Sequence, residues 1–218
     1  MKNIVLIGAT GYVGSAILNE LIQRQYNVTA IARNTTSVSN SSLVKKVALD
    51  ITDKAKLVDA LKGADIVISA FNAGWTNPNL YNDFTTGANA IHEAVKEAGV
   101  SRLIVIGGAG TLYIKPGLQL VDTPDFPDFI KPGATAVRDY FENILAKESA
   151  FKWTYFSPAM EMNPNNPGKR TGHYRIGTNT PVFDSESRSR VSVEDVAVAI
   201  TDEIENEQFL NKQFTIGY

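Results

Sequence analysis

Short apolar runs alternate along the chain with stretches in which apolar residues recur every three or four positions. Residues 4–7, 28–32, 47–49, 66–69 and 103–106 are rich in Val and Ile and too short for helices, so they read as buried parallel strands, with 153–156 as a sixth. Residues 13–24, 54–61, 81–98 and 134–149 carry the helical period. In the first of these, Val13, Ile17, Leu18, Leu21 and Ile22 share one face. Strand and helix in this order predict an α/β chain: a doubly wound parallel sheet of the Rossmann type, covered on both faces.

The rhythm changes after Phe156. Residues 157–170 hold Pro158, Pro164, Pro167 and several Asn, which predicts a loop. Strands are expected at 172–176 and 190–193, a helix at 194–206 and a closing strand at 214–216. Ser192 has the position of an N-cap, with Asp195 three residues on. The expectation is a single domain, with a core over 1–156 and a substrate-side lobe and closing helix over 157–218.

Composition narrows the chemistry. With no cysteine, thiol catalysis, disulfides and Cys-ligated metals are excluded, and two histidines at unrelated spacings give no zinc pattern, so no metal is expected. A net charge of −2 offers nothing to nucleic acid or an anionic membrane. No apolar run approaches the ~20 residues of a membrane helix, and the glycine turn follows the first strand too soon for a secretory leader. The chain therefore reads as cytoplasmic. The pair Lys45-Lys46 reads as solvated charge.

One motif carries most of the functional information. Gly8-x-x-Gly11-x-x-Gly14 follows the first strand and opens the first helix. In that context the first glycine permits the turn, the second lets backbone approach a pyrophosphate, and the third lets helix pack on strand. The helix N-terminus then faces the phosphates. A dinucleotide is thus the expected cofactor. An NAD site places Asp or Glu at the end of the second strand, ~20 residues on. Here that strand ends Ala30-Ile31-Ala32-Arg33-Asn34, where Arg33 suits a 2′-phosphate. NADP(H) is therefore favoured over NAD(H).

These residues, with Asp50-Ile51 after the third strand, resemble an atypical short-chain dehydrogenase/reductase. More narrowly they resemble the NmrA-like NAD(P)H-binding branch with its flavin and biliverdin reductases. The segments 102–110 and 116–124, the pair Ser157-Pro158, and 190–197 carry the same likeness, which covers nearly the whole chain. The resemblance implies that Gly8, Thr10, Gly11, Tyr12, Val13 and Gly14 surround the pyrophosphate. It puts Arg33 at the 2′-phosphate, Asp50 and Ile51 beside the adenine, and Ser69, Ala70 and Phe71 at the adenosine ribose. Gly107 and Gly108, on to Thr111, would line the nicotinamide, and Ser157-Pro158 would close over it. Asp50 reads equally well as a turn or cap residue.

Short-chain dehydrogenases generally pair a Tyr with a Lys four residues later. Here Tyr140 is followed at that spacing by Ile144, and no serine ends the fifth strand. No catalytic residue is therefore assigned; Thr111, Tyr113 and Tyr140 are candidates, and Tyr140 reads more readily as a packing residue. The gap suits hydride transfer to a conjugated acceptor such as a flavin, quinone or tetrapyrrole, for which solvent supplies the proton. Thr111, Tyr113, Phe126, Phe129, His173 and Tyr174 are the candidate pocket residues, with packing under the loop as the other reading of the rings. Two further readings stand beside the reductase. One is a redox sensor that binds the dinucleotide and acts through a protein partner. The other, a sugar-nucleotide epimerase, lacks here both the Tyr/Lys pair and a large C-terminal domain. Either a monomer or a homodimer is compatible with the sequence.

Overall fold

The computed structural model describes residues 2–218. Alternation within each strand explains the layering. In β1 (Asn3–Ile7), Val5 and Ile7 point into one apolar core and Ile4 and Leu6 into a second. In β5 (Arg102–Ile106), Leu103 and Val105 join the first core and Ile104 the second. A strand apolar on both faces must be covered on both. Helices α2 (Lys54–Leu61), α3 (Leu80–Glu97) and α4 (Lys131–Asn143) close the first core, while α1 (Tyr12–Gln23) and α5 (Val193–Asn206) close the second.

The remaining strands are β2 (Asn27–Ala32), β3 (Val44–Ala48), β4 (Ile66–Ser69), the hairpin β6 (Tyr113–Lys115) and β7 (Leu118–Gln119), then β8 (Lys152–Ser157), β9 (Arg175–Gly177) and β10 (Lys212–Gly217). The main sheet runs β3-β2-β1-β4-β5-β8-β10-β9, all parallel except β9, which lies antiparallel to β10. The order reverses between β1 and β4, and the crevice beyond the carboxyl ends of the strands there is where such sheets bind ligands. No helix among the described residues is long and apolar enough to cross a membrane.

Four expectations are corrected. The strand expected at 190–193 is an extended lead into α5; β10 beside it is already paired by β8 and β9, and only Tyr218 N–H reaches Arg190 O. Ser192 does cap α5, accepting from Asp195 N–H at 3.1 Å. The helix expected to run to residue 149 ends at Asn143, where Ile144 leaves helical geometry (φ −122, ψ −67) and a 3-10 turn over Leu145–Lys147 follows. The third strand begins at Val44, its period hidden by Lys45 and Lys46 on a sheet edge. The strand expected at 172–176 is the shorter β9, beginning at Arg175. The β6–β7 hairpin has no counterpart in the sequence reading; Pro116-Gly117 turns it, with Gly117 at φ +77.

Candidate active site

The three glycines of the first turn are needed for different reasons. Gly8 sits at φ +81, and a Cβ there would lie 2.5 Å from Ala70 O. A Cβ on Gly14 would lie 2.1 Å from Gly8 O. Both positions are therefore glycine on account of the protein's own backbone. At exposed Gly11 a Cβ would meet only Gly8 O, at 3.3 Å, so the protein's own packing constrains this position less than the other two. Gly11 caps α1 without a side-chain hydrogen bond, and the first turn of α1 holds no acid. Its N–H groups and positive end stay available to an anion, so this cradle fits a pyrophosphate. Thr10 is exposed beside it and Val13 half-buried. The Tyr12 hydroxyl donates to Asn163 O at 3.3 Å, which draws the 157–170 loop across the turn.

On one side of this cradle lie the carboxyl ends of β2, β3 and β4. Arg33, the residue after β2, is exposed and makes no ion pair among the described residues. The Asp50 carboxylate accepts from Thr52 N–H at 3.0 Å and Thr52 Oγ1 at 2.8 Å. These bonds, and more weakly the charge of Arg33, hold it below the usual carboxylate range. Its turn role is thus observed, and the same bonds keep it near Arg33. Ile51 and Phe71 pack on α3 where Gly87 leaves room: a Cβ there would lie 2.4 Å from Phe71 Cζ and 2.8 Å from Ile51 Cδ1. Phe71 also stacks on Phe84, with centroids 5.8 Å apart. Ser69 is buried, and Ala70 N–H bonds Ile7 O at 2.9 Å, holding the end of β4 against β1.

On the other side, β5 ends in a turn held by buried polar groups. Gly107 N–H donates to Phe156 O at 2.8 Å, and a Cβ on Gly107 would strike the Tyr155 ring at 2.1 Å. Gly108 keeps its Cβ position clear to 3.7 Å. The Thr111 hydroxyl donates to Gly108 O at 2.8 Å and lies 2.8 Å from Ser157 Oγ; Thr111 and Ser157 are both buried. Gln213 Nε2, from β10, reaches both oxygens, at 3.1 and 2.8 Å. Pro158 is buried directly after Ser157. Burial pushes the Tyr155 phenol well up; its hydroxyl, near Thr111 and Gly108, makes no hydrogen bond. Gln213 and Gln119 escaped the sequence reading, although an amide beside Phe214 in a closing strand is a visible break in apolar pattern.

The candidate proton donors fare unequally. The proton of Thr111 is committed to Gly108 O. Tyr140 is buried with its hydroxyl 3.2 Å from His92 Nδ1, and His92 Nε2 lies 2.8 Å from the Glu148 carboxylate, so the phenol is tied into a polar contact inside the α3–α4 layer. Tyr140 is thereby a packing residue, and burial raises its pKa strongly. Tyr113 is half-exposed on β6, where its N–H bonds Asn179 O at 2.8 Å.

The aromatic set also divides. Phe126 packs with Val121 and Ala134 in a satellite core, whereas Phe129 is 76% exposed on the loop before α4. Tyr174 does not join them. Its hydroxyl donates at 2.5 Å to Asp202, which also takes Arg24 beyond the far end of α1, ~18 Å of helix away from Gly11. His173 precedes it on the same outer face, exposed, its N–H on Thr171 Oγ1. Trp75, absent from the sequence reading, is 54% exposed on the loop after β4. It lies against the first turn of α4, where a Cβ on Gly133 would come 3.2 Å from Trp75 Cζ3. An aromatic within Asn72-Ala73-Gly74-Trp75, directly past a strand's carboxyl end, was the available signal. A concavity of about 870 Å³ lies elsewhere, between α2, β3 and the amino-terminal parts of β1 and β2, with Lys45, Lys56 and Lys62 among its lining residues.

Residues 8–206, which span nearly all of this geometry, match the family of NAD(P)H-binding proteins, and the chain belongs to that family. It is 32% identical over 215 residues to the uncharacterized protein YwnB of Bacillus subtilis (strain 168), covering 97% of this chain and 96% of the relative. A Bacteroides thetaiotaomicron structure described as a candidate epimerase superposes with a TM-score of 0.91 at 42% identity, over 100% of this chain and 97% of the other. A Streptococcus pneumoniae structure described as a candidate NADH-flavin reductase does so with a TM-score of 0.85 at 30% identity, over 100% and 99%. Family, sheet and neighbours accord with the atypical short-chain dehydrogenase/reductase resemblance.

Proposed function

We propose that this protein is an NADPH-preferring reductase that delivers hydride to a planar conjugated acceptor: a flavin, a quinone or a tetrapyrrole. The observation that carries the reading is the state of the hydroxyls at the strand ends. Thr111 and Ser157 spend their protons on one another and on Gly108 O, and Tyr140 is buried against His92 inside the α3–α4 layer. A carbonyl acceptor needs a proton delivered at the developing alkoxide. A conjugated acceptor spreads the arriving charge over its ring system and takes its proton from water.

The bound nicotinamide supplies the hydride; the protein supplies placement. In this reading Gly8, Thr10, Gly11, Tyr12, Val13 and Gly14 hold the pyrophosphate, and Arg33 pairs with the 2′-phosphate. Asp50, Ile51, Ser69, Ala70 and Phe71 flank the adenosine. Gly107, Gly108, Ser157 and Pro158 seat the nicotinamide end. The exposed faces of Trp75 and Phe129, with Tyr113, offer the acceptor a stacking surface. Solvent access to these residues lets the acceptor enter from solution.

The test is NADPH oxidation by purified protein with FMN, riboflavin, menadione and biliverdin offered separately. Turnover with one or more is expected. Tight NADPH binding with no turnover across the panel would overturn the reductase reading in favour of a dinucleotide sensor acting through a protein partner.

A further inference from the structure

Four polar side chains converge on one turn: Thr111, Ser157 and Gln119 are buried and Gln213 is half-buried, with the unbonded Tyr155 hydroxyl near Thr111, and the protons of the bonded groups can be counted. Gln213 Nε2 carries two hydrogens and is a donor only. One goes to Thr111 Oγ1 at 3.1 Å and the other to Ser157 Oγ at 2.8 Å. The Thr111 proton goes to Gly108 O at 2.8 Å, so the 2.8 Å contact between the two hydroxyls must use the proton of Ser157. The chain of donors therefore runs one way, from Gln213 through Ser157 and Thr111 to the Gly108 carbonyl. Independently, Gln119 Nε2 donates to Thr111 O at 3.3 Å and to Glu142 Oε1 at 2.6 Å. The turn is thus held at Gly108 by a relay and at Thr111 by an amide, from β10 and β7.

Burying such a network is costly unless every member is bonded, and apolar side chains of the same volume would fill this space as well. What apolar side chains would not do is fix the height of a two-glycine backbone. We infer that Gln213 is a positioning residue: through Ser157 and Thr111 it sets the Gly107–Gly108 backbone against which the nicotinamide end of the cofactor rests. The inference depends on the proposed seating of the nicotinamide at this turn, and not on the identity of the acceptor. With Gln213 replaced by Leu, neither hydroxyl is directed. With Glu in its place the shape is kept, but an acceptor stands where a donor is needed. Both hydroxyls then turn toward it and Gly108 O loses the Thr111 proton.

The experiment compares the affinity of the protein for NADPH with that for 2′,5′-ADP, which carries the adenine half alone, in wild type, Gln213→Leu and Gln213→Glu, with melting temperatures alongside. The loss of two directed hydrogen bonds predicts NADPH binding weaker by about five- to twentyfold. Affinity for 2′,5′-ADP is expected to stay within about twofold, since the adenine half never meets this turn. Equal loss for both ligands, no loss for either, or failure of both variants to fold would assign the cluster to stability and overturn the inference. If the wild type itself binds 2′,5′-ADP as tightly as NADPH, the nicotinamide gains nothing at this turn, and the seating falls together with the inference.

Discussion

Replacing Arg33 by Ala isolates the one residue that separates NADPH from NADH in this reading. Arg33 is exposed at the carboxyl end of β2 and has no ion-pair partner among the described residues. The Asp50 carboxylate, which feels the charge of Arg33, is turned onto Thr52 by two hydrogen bonds. The guanidinium therefore enters the complex without first breaking a strong bond. NADPH differs from NADH by a 2′-phosphate, and a charge-assisted contact to it contributes ~1.5–3 kcal/mol. Arg33→Ala is then expected to weaken NADPH binding by about 10- to 100-fold and to leave NADH within about twofold. Because the site is open, the wild-type preference should shrink as salt rises, with a Debye length of about 10 Å at 0.1 M. Asp50→Asn removes a negative charge that interacts with Arg33 and should move the preference the other way. Calorimetric titration of both nucleotides at two ionic strengths reads all of this. An equal loss for NADH would mean that Arg33 serves the adenosine or the fold, and an unchanged NADPH affinity would mean that the phosphate is held elsewhere.

Gly14→Ala should cost about 2–4 kcal/mol of stability, because its Cβ would sit 2.1 Å from a backbone oxygen that cannot move aside. Gly11→Ala should cost less than about 1 kcal/mol in the same denaturation assay, yet weaken NADPH binding at least about tenfold; the reverse pattern would refute the cradle. Trp75→Ala should raise the KM for the acceptor several-fold and leave NADPH affinity unchanged, with Trp75→Phe retaining much of the effect; an unchanged KM would remove Trp75 from the acceptor surface. Glu148 is held at about 2, against its usual 4.5, by the N–H of Ala150 first, with His92 and Ser149 adding to it. A depressed carboxylate pKa stabilises the fold above the unfolded value and loses that contribution as pH falls between about 4.5 and 2. This amounts to on the order of 3 kcal/mol. Urea midpoints of wild type should fall across that interval, and Glu148→Gln should flatten the fall; parallel curves would refute the assignment.

The parts of this molecule legible from sequence are those encoded by neighbouring residues. Val5 and Ile7 facing one layer and Ile4 and Leu6 the other is a local pattern, and it announced a sheet covered on both sides. Gly8, Gly11 and Gly14 lie within one turn and one helical start, so their spacing carries their meaning. Arg33 stands where the strand before it stops. The strand that was mistaken at 190–193 had the right residues and no free edge to join, which is a property of β8, β9 and β10 together. Tyr174 looked like a pocket aromatic until Asp202 and Arg24, 28 and 150 positions away along the chain, gave its hydroxyl a partner on the outer face. The relay at Gly108 is the extreme case, since Gln213 meets Thr111 across 102 positions and Ser157 across 56. No local period links them. Only the parallel register of β5, β8 and β10 puts an amide over two hydroxyls, and only the proton count at that junction shows that neither hydroxyl has a proton left to give a substrate. The missing Tyr/Lys pair left the proton source open in the sequence, and the committed hydroxyls are what turn the reading toward an acceptor that draws its proton from water.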